Sequence, residues 1–382
     1  MNTSGPAHSF NRRKFIRYGL SSAAALSAVP LTNAFSFERA GAGTDPGTLY
    51  KRAIVIDSMM PEIGDVNAGH AVAAGFTACV LDIEAFPRDT KMATEAMERW
   101  QKKFAAPGSQ FLKIEKGADI RTAKTESKFG IILACQDAAI LGAPTFSADD
   151  GNLEALKNFY NQGLRVLQIT HSSRNALGDS YMEPTNAGLS LLGRAVVESM
   201  NHLRMVIDLS HCGDQTTRET LALSARPCVI THAGCKTLFN SGRNKSDEVI
   251  RAVADKGGYF GVFNMSVWLT DKEVPTVEDL VDHILYAVKI GGIDHVGFGS
   301  DGELEPTRTA AEFLTSFQDY IKRTFGQPGS EVMPHHVVIP ELYSIHRLER
   351  IAFSLSKRGL SDSDIEKILG GNFARVFDEI CG

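Results

Sequence analysis

The 382-residue sequence lacks the motifs of several common function classes. Its six cysteines form no Cys-x-x-Cys pair, which excludes zinc ribbons and thioredoxin-like redox sites, although a disulfide between two of them stays open. There is no Gly-x-Ser-x-Gly elbow, which excludes serine hydrolases of the α/β type. The glycine-bearing strand entries GLRVLQ and GGIDHVGFG are not phosphate loops that precede a helix.

Internal repeats, low-complexity segments and an excess of positive charge are also missing. The chain is 43% hydrophobic and 22% charged, as expected for a globular protein, and its formal charge is −5. An acidic balance argues against nucleic acid or an anionic membrane as the main partner. The length suits one large domain of the α/β barrel type.

The N-terminal segment lacks acidic residues and a long apolar run. Four basic residues, beginning with the adjacent Arg12 and Arg13, precede a short Ala-rich stretch that ends in small residues at Ala34. This layout is typical of a twin-arginine signal peptide, so we predict the export machinery as a partner and the periplasm as the location. An uncleaved membrane anchor stays open. The predicted organisation is a signal peptide over 1–34, a linker over 35–49 and a single domain over 50–382.

From residue 50 onward, short β-rich runs alternate with segments of helical periodicity, such as 188–203. The runs are almost continuously apolar, as in parallel strands that helices cover. Eight such units predict an α/β fold of the (β/α)8 TIM barrel class, with an open doubly wound sheet as the alternative. The predicted strands are 53–59, 76–83, 130–136, 164–171, 205–211, 227–233, 258–264 and 295–301.

Polar residues stand at the carboxyl ends of these strands, where barrel enzymes carry their active sites. His171, His211, His232 and Asp301 are expected to converge there. Imidazole is the commonest nitrogen ligand of zinc, and a strand-end carboxylate could accept a proton from metal-activated water. One such histidine is usually a hydrogen-bonded core residue, but four converging residues predict a metal-dependent hydrolase.

Several stretches resemble the membrane (renal-type) dipeptidase family, peptidase family M19. They include LQITHSSRNALGDSY, GRAVVESMNHLRMVIDLSHCGDQT, ARPCVITHAGCKTL, GRNKSDEVIRAVADKGG, GIDHVGFGSD and LSDSDIEKILGGNFARVF. The resemblance implies a barrel with a two-zinc site that hydrolyses dipeptides. It makes His211 and His232 ligands of one zinc, His171 a substrate contact near the developing oxyanion, Arg243 the binder of the substrate carboxylate and Asp301 the acid/base.

The sequence departs from the pattern of that family at the other zinc. The His-x-Asp pair after the first strand is replaced by Met59 and Pro61, and the bridging glutamate aligns with Gln136. An amide cannot neutralise two adjacent cations as a carboxylate does. Glu62 or Asp137 would have to move into the vacated space, and the restricted backbone of Pro61 opposes this.

We therefore expect a reduced metal site, with one zinc ion favoured over two and other divalent metals open. His211 and His232 would be ligands, with His171, Gln136 or Asp301 as the third.

The sequence thus predicts an exported metallodipeptidase that cleaves dipeptides or related small amides. One alternative is a non-hydrolytic periplasmic binding or tailoring protein. Another is altered chemistry, in which Met59 or Met60 helps to bind a softer ion such as copper. Adjacent strand residues point to opposite faces, so at most one of these methionines could reach a site. A homodimer stays open.

Overall fold

The computed structural model describes residues 44–63, 65–83, 89–142, 151–325 and 333–382. The predicted signal peptide and most of the predicted linker lie outside these ranges. The strands are β1 Ile56–Pro61, β2 Ala78–Asp82, β3 Phe111–Lys113, β4 Phe129–Cys135, β5 Leu164–Gln168, β6 Val206–Asp208, β7 Val229–Ala233, β8 Tyr259–Val262 and β9 Val296–Phe298.

Helices follow most of the strands. They are α1 Pro46–Arg52, α2 Ala68–Ala73, α3 Thr90–Ala105, α4 Gly117–Thr125, α5 Gly151–Asn161, α6 Leu191–Leu203, α7 Asp214–Leu223, α8 Asp247–Asp255, α9 Val277–Gly291, α10 Ala310–Phe325, α11 Arg347–Lys357, α12 Asp362–Glu366 and α13 Asn372–Cys381. Single 3₁₀ turns occur at Ala138–Leu141, Ser266–Trp268, Ile293–His295 and Pro340–Leu342, and a π turn at Lys367–Gly371 joins α12 to α13.

The strands form one parallel sheet in the order β1-β2-β4-β5-β6-β7-β8-β9. At the seam, the backbone N–H of Asp301 donates to the carbonyl of Met59 at 2.9 Å and brings the ends of β9 and β1 together. The predicted (β/α)8 barrel is confirmed as a nearly closed eight-strand sheet with helices around it. The three-residue β3 was not predicted and pairs only with β4, outside the barrel order.

Apolar side chains pack on both faces of the sheet, which is why the strands read as continuous apolar runs. The inner cluster contains Ile56, Val80 and Ile132, while their sequence neighbours Leu81 and Leu133 belong to the outer cluster beneath the helices. Alternation along each strand therefore decides which residues reach the barrel mouth.

Strand β1 breaks this alternation near its end. Its register with β2 shifts between Asp57 and Met60. Met59 packs with the inner cluster, whereas Met60 packs with the outer cluster. The prediction that at most one of the two methionines faces the mouth is confirmed.

One helix of the structure includes residues that precede position 50, the predicted start of the domain. Helix α1 starts at Pro46, where proline fits the first turn, and the Asp45 side chain caps it by accepting from the N–H of Thr48. Leu49 and Tyr50 are buried, so α1 packs as part of the core.

All six cysteines lie in the described ranges, and none of them forms a disulfide. Five are buried, four of them in or beside strands, where they act as small apolar side chains. No helix within the described ranges has the length and apolar character needed to span a bilayer.

Candidate metal centre

A polar layer covers the apolar interior at the carboxyl ends of the barrel strands. Asp82, Gln136 and Gln168 occupy the next inward positions of β2, β4 and β5 after the apolar residues of the inner cluster. All three are at least 97% buried. The mouth of the barrel therefore has a polar floor.

His211, His232 and Asp301 come together in this layer. Their possible ligand atoms all lie within 4.8 Å of one another. The two histidine Nε2 atoms are 3.0 Å apart, and Asp301 Oδ1 is 3.9 Å from His232 Nε2. Two nitrogens bound to one tetrahedral zinc at about 2.0–2.1 Å would be roughly 3.3 Å apart. The two imidazoles thus face a common point, and the carboxylate stands at its side.

Hydrogen bonds that connect Asp208 of β6 with Thr231 and His232 of β7 orient the His232 ring. The Thr231 hydroxyl donates to Asp208 Oδ2 at 2.7 Å. Because its hydrogen is used there, Thr231 Oγ1 accepts from His232 Nδ1 at 2.8 Å. The proton of a neutral His232 therefore lies on Nδ1, and the lone pair of Nε2 faces His211. Burial raises the pKa of Asp208, while hydrogen bonds from Ser210 and Thr231 act in the opposite direction. These contacts make Asp208 a supporting carboxylate behind His232.

Asp301 is held in an unusual backbone conformation, with a φ of +53°. Non-glycine residues seldom adopt this left-handed region, and such residues cluster at functional sites. The backbone bond to Met59 at the barrel seam holds Asp301 there. Its side chain is 18% exposed and is therefore accessible from the mouth.

His171 lies beside the pair as predicted. Its ring stacks on His211 with centroids 4.1 Å apart, and its Nδ1 is 3.0 Å from Ser172 Oγ. Tyr181 meets the His211 ring edge to face, with centroids 5.7 Å apart. Removal from water raises the pKa of Tyr181 to about 12, so its hydroxyl stays protonated near neutral pH.

Gln136 occupies the predicted position at the end of β4. Its side-chain Nε2 and its backbone N–H donate to the two oxygens of Asp82, each at 3.1 Å. Its backbone carbonyl accepts from Gln168 Nε2. Its Oε1 receives no hydrogen bond from a described residue, so its prediction as a metal ligand is compatible with this geometry but untested.

Arg243 lies directly behind the metal centre and is fully buried. Its guanidinium donates to the carbonyls of Ser210 at 2.7 Å and His232 at 2.8 Å. Burial lowers the pKa of Arg243, and the charge of Asp301 is the largest opposing influence. No carboxylate in the described ranges forms an ion pair with it. A substrate carboxylate could meet its charge only after the surrounding side chains move, so its predicted role stays a prediction.

The described carboxylates that follow β1 and β4 are engaged elsewhere. Glu62 accepts from Arg99 and Trp100 and pairs with Lys103. Asp137 accepts from Asn175 at 2.7 Å. Among the described residues, neither one joins the group that His211, His232 and Asp301 form.

Sequence reasoning missed three residues of the site. Gln168 is a polar residue at an inward position of an apolar strand, and that interruption was the available signal. Thr231 directly precedes the predicted ligand His232. This position alone does not indicate its role, which follows from its contact with Asp208. Tyr181 reaches the site from a long loop, and no local pattern indicates this.

Comparison with known proteins gives a family. The model of membrane dipeptidases, peptidase family M19, matches residues 58–307. The dipeptidase verJ of Clonostachys rogersoniana is 28% identical over 271 residues, which cover 70% of this chain and 62% of that protein. The chain thus spans less than two thirds of the length of this curated relative.

Solved structures share the fold. An amidohydrolase from Pseudomonas aeruginosa is 25% identical, with a TM-score of 0.74 over 88% of this chain and 99% of that one. The probable dipeptidase PvdM from the same organism is 21% identical, with a TM-score of 0.68 over 88% of this chain and 97% of that one.

Proposed function

The chain belongs to the membrane dipeptidase family, peptidase family M19, and from this premise we propose that it hydrolyses dipeptides or related small amides with one bound divalent metal ion, zinc in the first instance. The observation that carries the proposal is the convergence of His211, His232 and Asp301 at the barrel mouth. The names of similar dipeptidases support the substrate class.

The donor set fits one ion. Two imidazoles and one carboxylate are a common catalytic zinc set, which leaves a further position for water or substrate. A zinc ion bound there would polarise the scissile carbonyl and acidify a water molecule. The chain itself orients the donors, because the contact of Thr231 with His232 directs the lone pair of Nε2 into the site.

Asp301 and His171 would act on the reacting atoms. The Asp301 carboxylate has two oxygens, so one can complete the donor set while the other accepts a proton from the attacking water and returns it to the leaving amine. His171 lies against His211 and is only partly buried, so its imidazole is available to the oxygen on which charge develops. Arg243 would attract the carboxylate of the substrate.

The chain does not fit a second ion of the usual family form. Met59 offers a thioether within an apolar cluster, and Pro61 offers no ligand. Asp57, the carboxylate next to them, forms an ion pair with Arg347. We therefore propose a one-metal site. The burial of Met59 among apolar side chains gives no support to the copper alternative.

Metal analysis and a substrate panel test this proposal. Protein loaded with zinc, cobalt or manganese should retain about one equivalent per chain and cleave some members of a panel of L,L and L,D dipeptides. His211→Ala should lose both properties, whereas His202→Ala, at an exposed position on α6, should keep both. Absence of retained metal together with absence of cleavage would overturn the proposal and favour the non-hydrolytic alternative.

Export is a second proposal, supported by the basic and Ala-rich residues near Arg12 and Arg13. We propose that the chain travels to the periplasm by the twin-arginine route. Cell fractionation should find it there, and replacement of both arginines by lysine should retain it in the cytoplasm. An unchanged periplasmic fraction in that variant would contradict the proposed route.

A further inference from the structure

Two buried amide oxygens at the barrel mouth have no hydrogen-bond donor among the described residues. They are Gln136 Oε1 and Gln168 Oε1, and the two side chains are 3% and 0% exposed. A buried acceptor without a donor is costly, and native proteins contain few of them. Two such oxygens at the ends of neighbouring strands therefore indicate a bound ligand that donates hydrogen bonds to them.

The surrounding hydrogen bonds determine which amide atom is the oxygen. Gln136 Nε2 lies 3.1 Å from Asp82 Oδ2, and a flipped amide would place two oxygens in contact there. Gln168 Nε2 donates to the backbone carbonyl of Gln136, and a flip would create the same conflict. The two amide nitrogens are therefore hydrogen-bonded, and the two amide oxygens have no donor among the described residues.

This pair lies next to the metal centre around the barrel. Gln136 directly follows β4, and Gln168 is the last residue of β5. Strand β5 pairs with β6, the strand that precedes His211. His171 follows Gln168 by three residues and stacks on His211. A small molecule whose carbonyl meets the histidines can therefore extend toward the two amides.

The chemistry of the pair favours an ammonium group. Neutral amide oxygens backed by the carboxylate of Asp82 suit a positively charged donor. Calcium takes six to eight oxygen ligands, and zinc prefers nitrogen, sulfur or carboxylate oxygen, so two amide oxygens alone suit neither ion. An α-ammonium group carries one charge and three N–H donors.

We propose that Gln136 and Gln168 bind the α-ammonium group of the substrate and thereby select dipeptides with a free amino terminus. The inference rests on the proposed function, which supplies the substrate class. It assigns the amino end of the dipeptide to the β4 and β5 side of the mouth, with the scissile carbonyl at the metal centre.

The test compares alanyl-alanine with N-acetyl-alanyl-alanine on metal-loaded protein. The wild type should prefer the free amine in kcat/KM. Gln168→Met should reduce this preference roughly 10- to 100-fold, as expected for lost hydrogen bonds to a charged group, and should act mainly on the free dipeptide.

Gln101→Met is a matched control, because Gln101 Nε2 also donates to a backbone carbonyl, that of Gln162 at 2.7 Å, but on the outside of the barrel. It should leave the preference unchanged. Equal losses on both substrates in Gln168→Met would overturn the proposal, since they would indicate a structural role. A fall in metal affinity in Gln168→Met would also overturn it, by assigning the oxygens to the metal.

Failure of the proposed function would be recognised separately. If no dipeptide is cleaved, the same two compounds are stable ligands, and their binding can be measured by calorimetry. Tighter binding of the free amine that is lost in Gln168→Met would support the ammonium site without hydrolysis. Equal binding of the two compounds by the wild type would reject it.

Discussion

Asp57 and Arg347 form an ion pair inside the protein, with Arg347 Nε 3.2 Å from Asp57 Oδ2 and side chains that are 0% and 1% exposed. The other oxygen of Asp57 accepts from the N–H of Ser300 at 2.7 Å, one residue before Asp301. The pair therefore connects β1, the seam of the barrel and α11. The opening strand therefore supports the candidate metal centre from behind.

Arg347→Met should destabilise the protein by about 3–5 kcal/mol, because it leaves the carboxylate of Asp57 buried without its partner. Urea unfolding followed by circular dichroism measures this change. Arg350→Met, at an exposed position on the same helix, is the control and should change stability by less than about 0.5 kcal/mol. A loss below about 1 kcal/mol in Arg347→Met would show that the pair is dispensable.

The sequence was sufficient to predict the barrel and the three converging histidines. Each barrel strand is a short apolar run, and parallel strands present their carboxyl ends at one edge, so His171, His211 and His232 had to meet once the strands were identified. The same reasoning placed Asp301 at a strand end beside them. These predictions depend on local pattern and on topology alone.

Other features depend on contacts between distant residues, which local patterns do not encode. The partners of Glu62 come from α3, and the partner of Asp57 lies 290 residues away. The register shift in β1, which turns Met59 inward, reflects pairing with the neighbouring strand. The orientation of the Gln168 amide follows from its contact with Gln136. Sequence could identify these residues but not their orientation.

Thr231→Val should weaken metal binding roughly 10- to 100-fold, because His232 Nδ1 loses the acceptor that orients the ring. Thr231→Ser keeps the hydroxyl and should bind metal as the wild type does. Competition with a chelator of known affinity measures the change. Thr217→Val is a matched buried control, since the Thr217 hydroxyl has no hydrogen-bond partner among the described residues. Equal affinity of the valine and serine variants at 231 would refute the orienting role.

Restoring the family ligands should restore the second metal ion. The triple variant Met59→His, Pro61→Asp and Gln136→Glu should raise bound zinc from about one to about two equivalents per chain, because it returns a bridging carboxylate and two ligands to the mouth. Inductively coupled plasma mass spectrometry after dialysis measures the content.

The matched control for this variant places the new histidine at Met60 instead of Met59. Met60 packs on the outer face of the sheet. The imidazole of a histidine at position 60 should therefore not reach the mouth, and this control should not bind the second ion. If the variant with histidine at 59 still holds one ion, the missing ligands do not explain the reduced site.

His283 should make stability depend on pH between about 4 and 6.5. Burial lowers its pKa from 6.5 to about 4, and its neutral ring accepts from the N–H of Cys235 and donates to the carbonyl of Leu269. In this window the unfolded chain binds more protons than the folded one, so the free energy of unfolding should fall as pH falls, by roughly 3 kcal/mol in total from this residue. Urea unfolding at several pH values should show a shallower fall in His283→Asn, whereas His202→Asn, an exposed control, should keep the wild-type fall. Parallel curves for the wild type and His283→Asn would contradict the assignment.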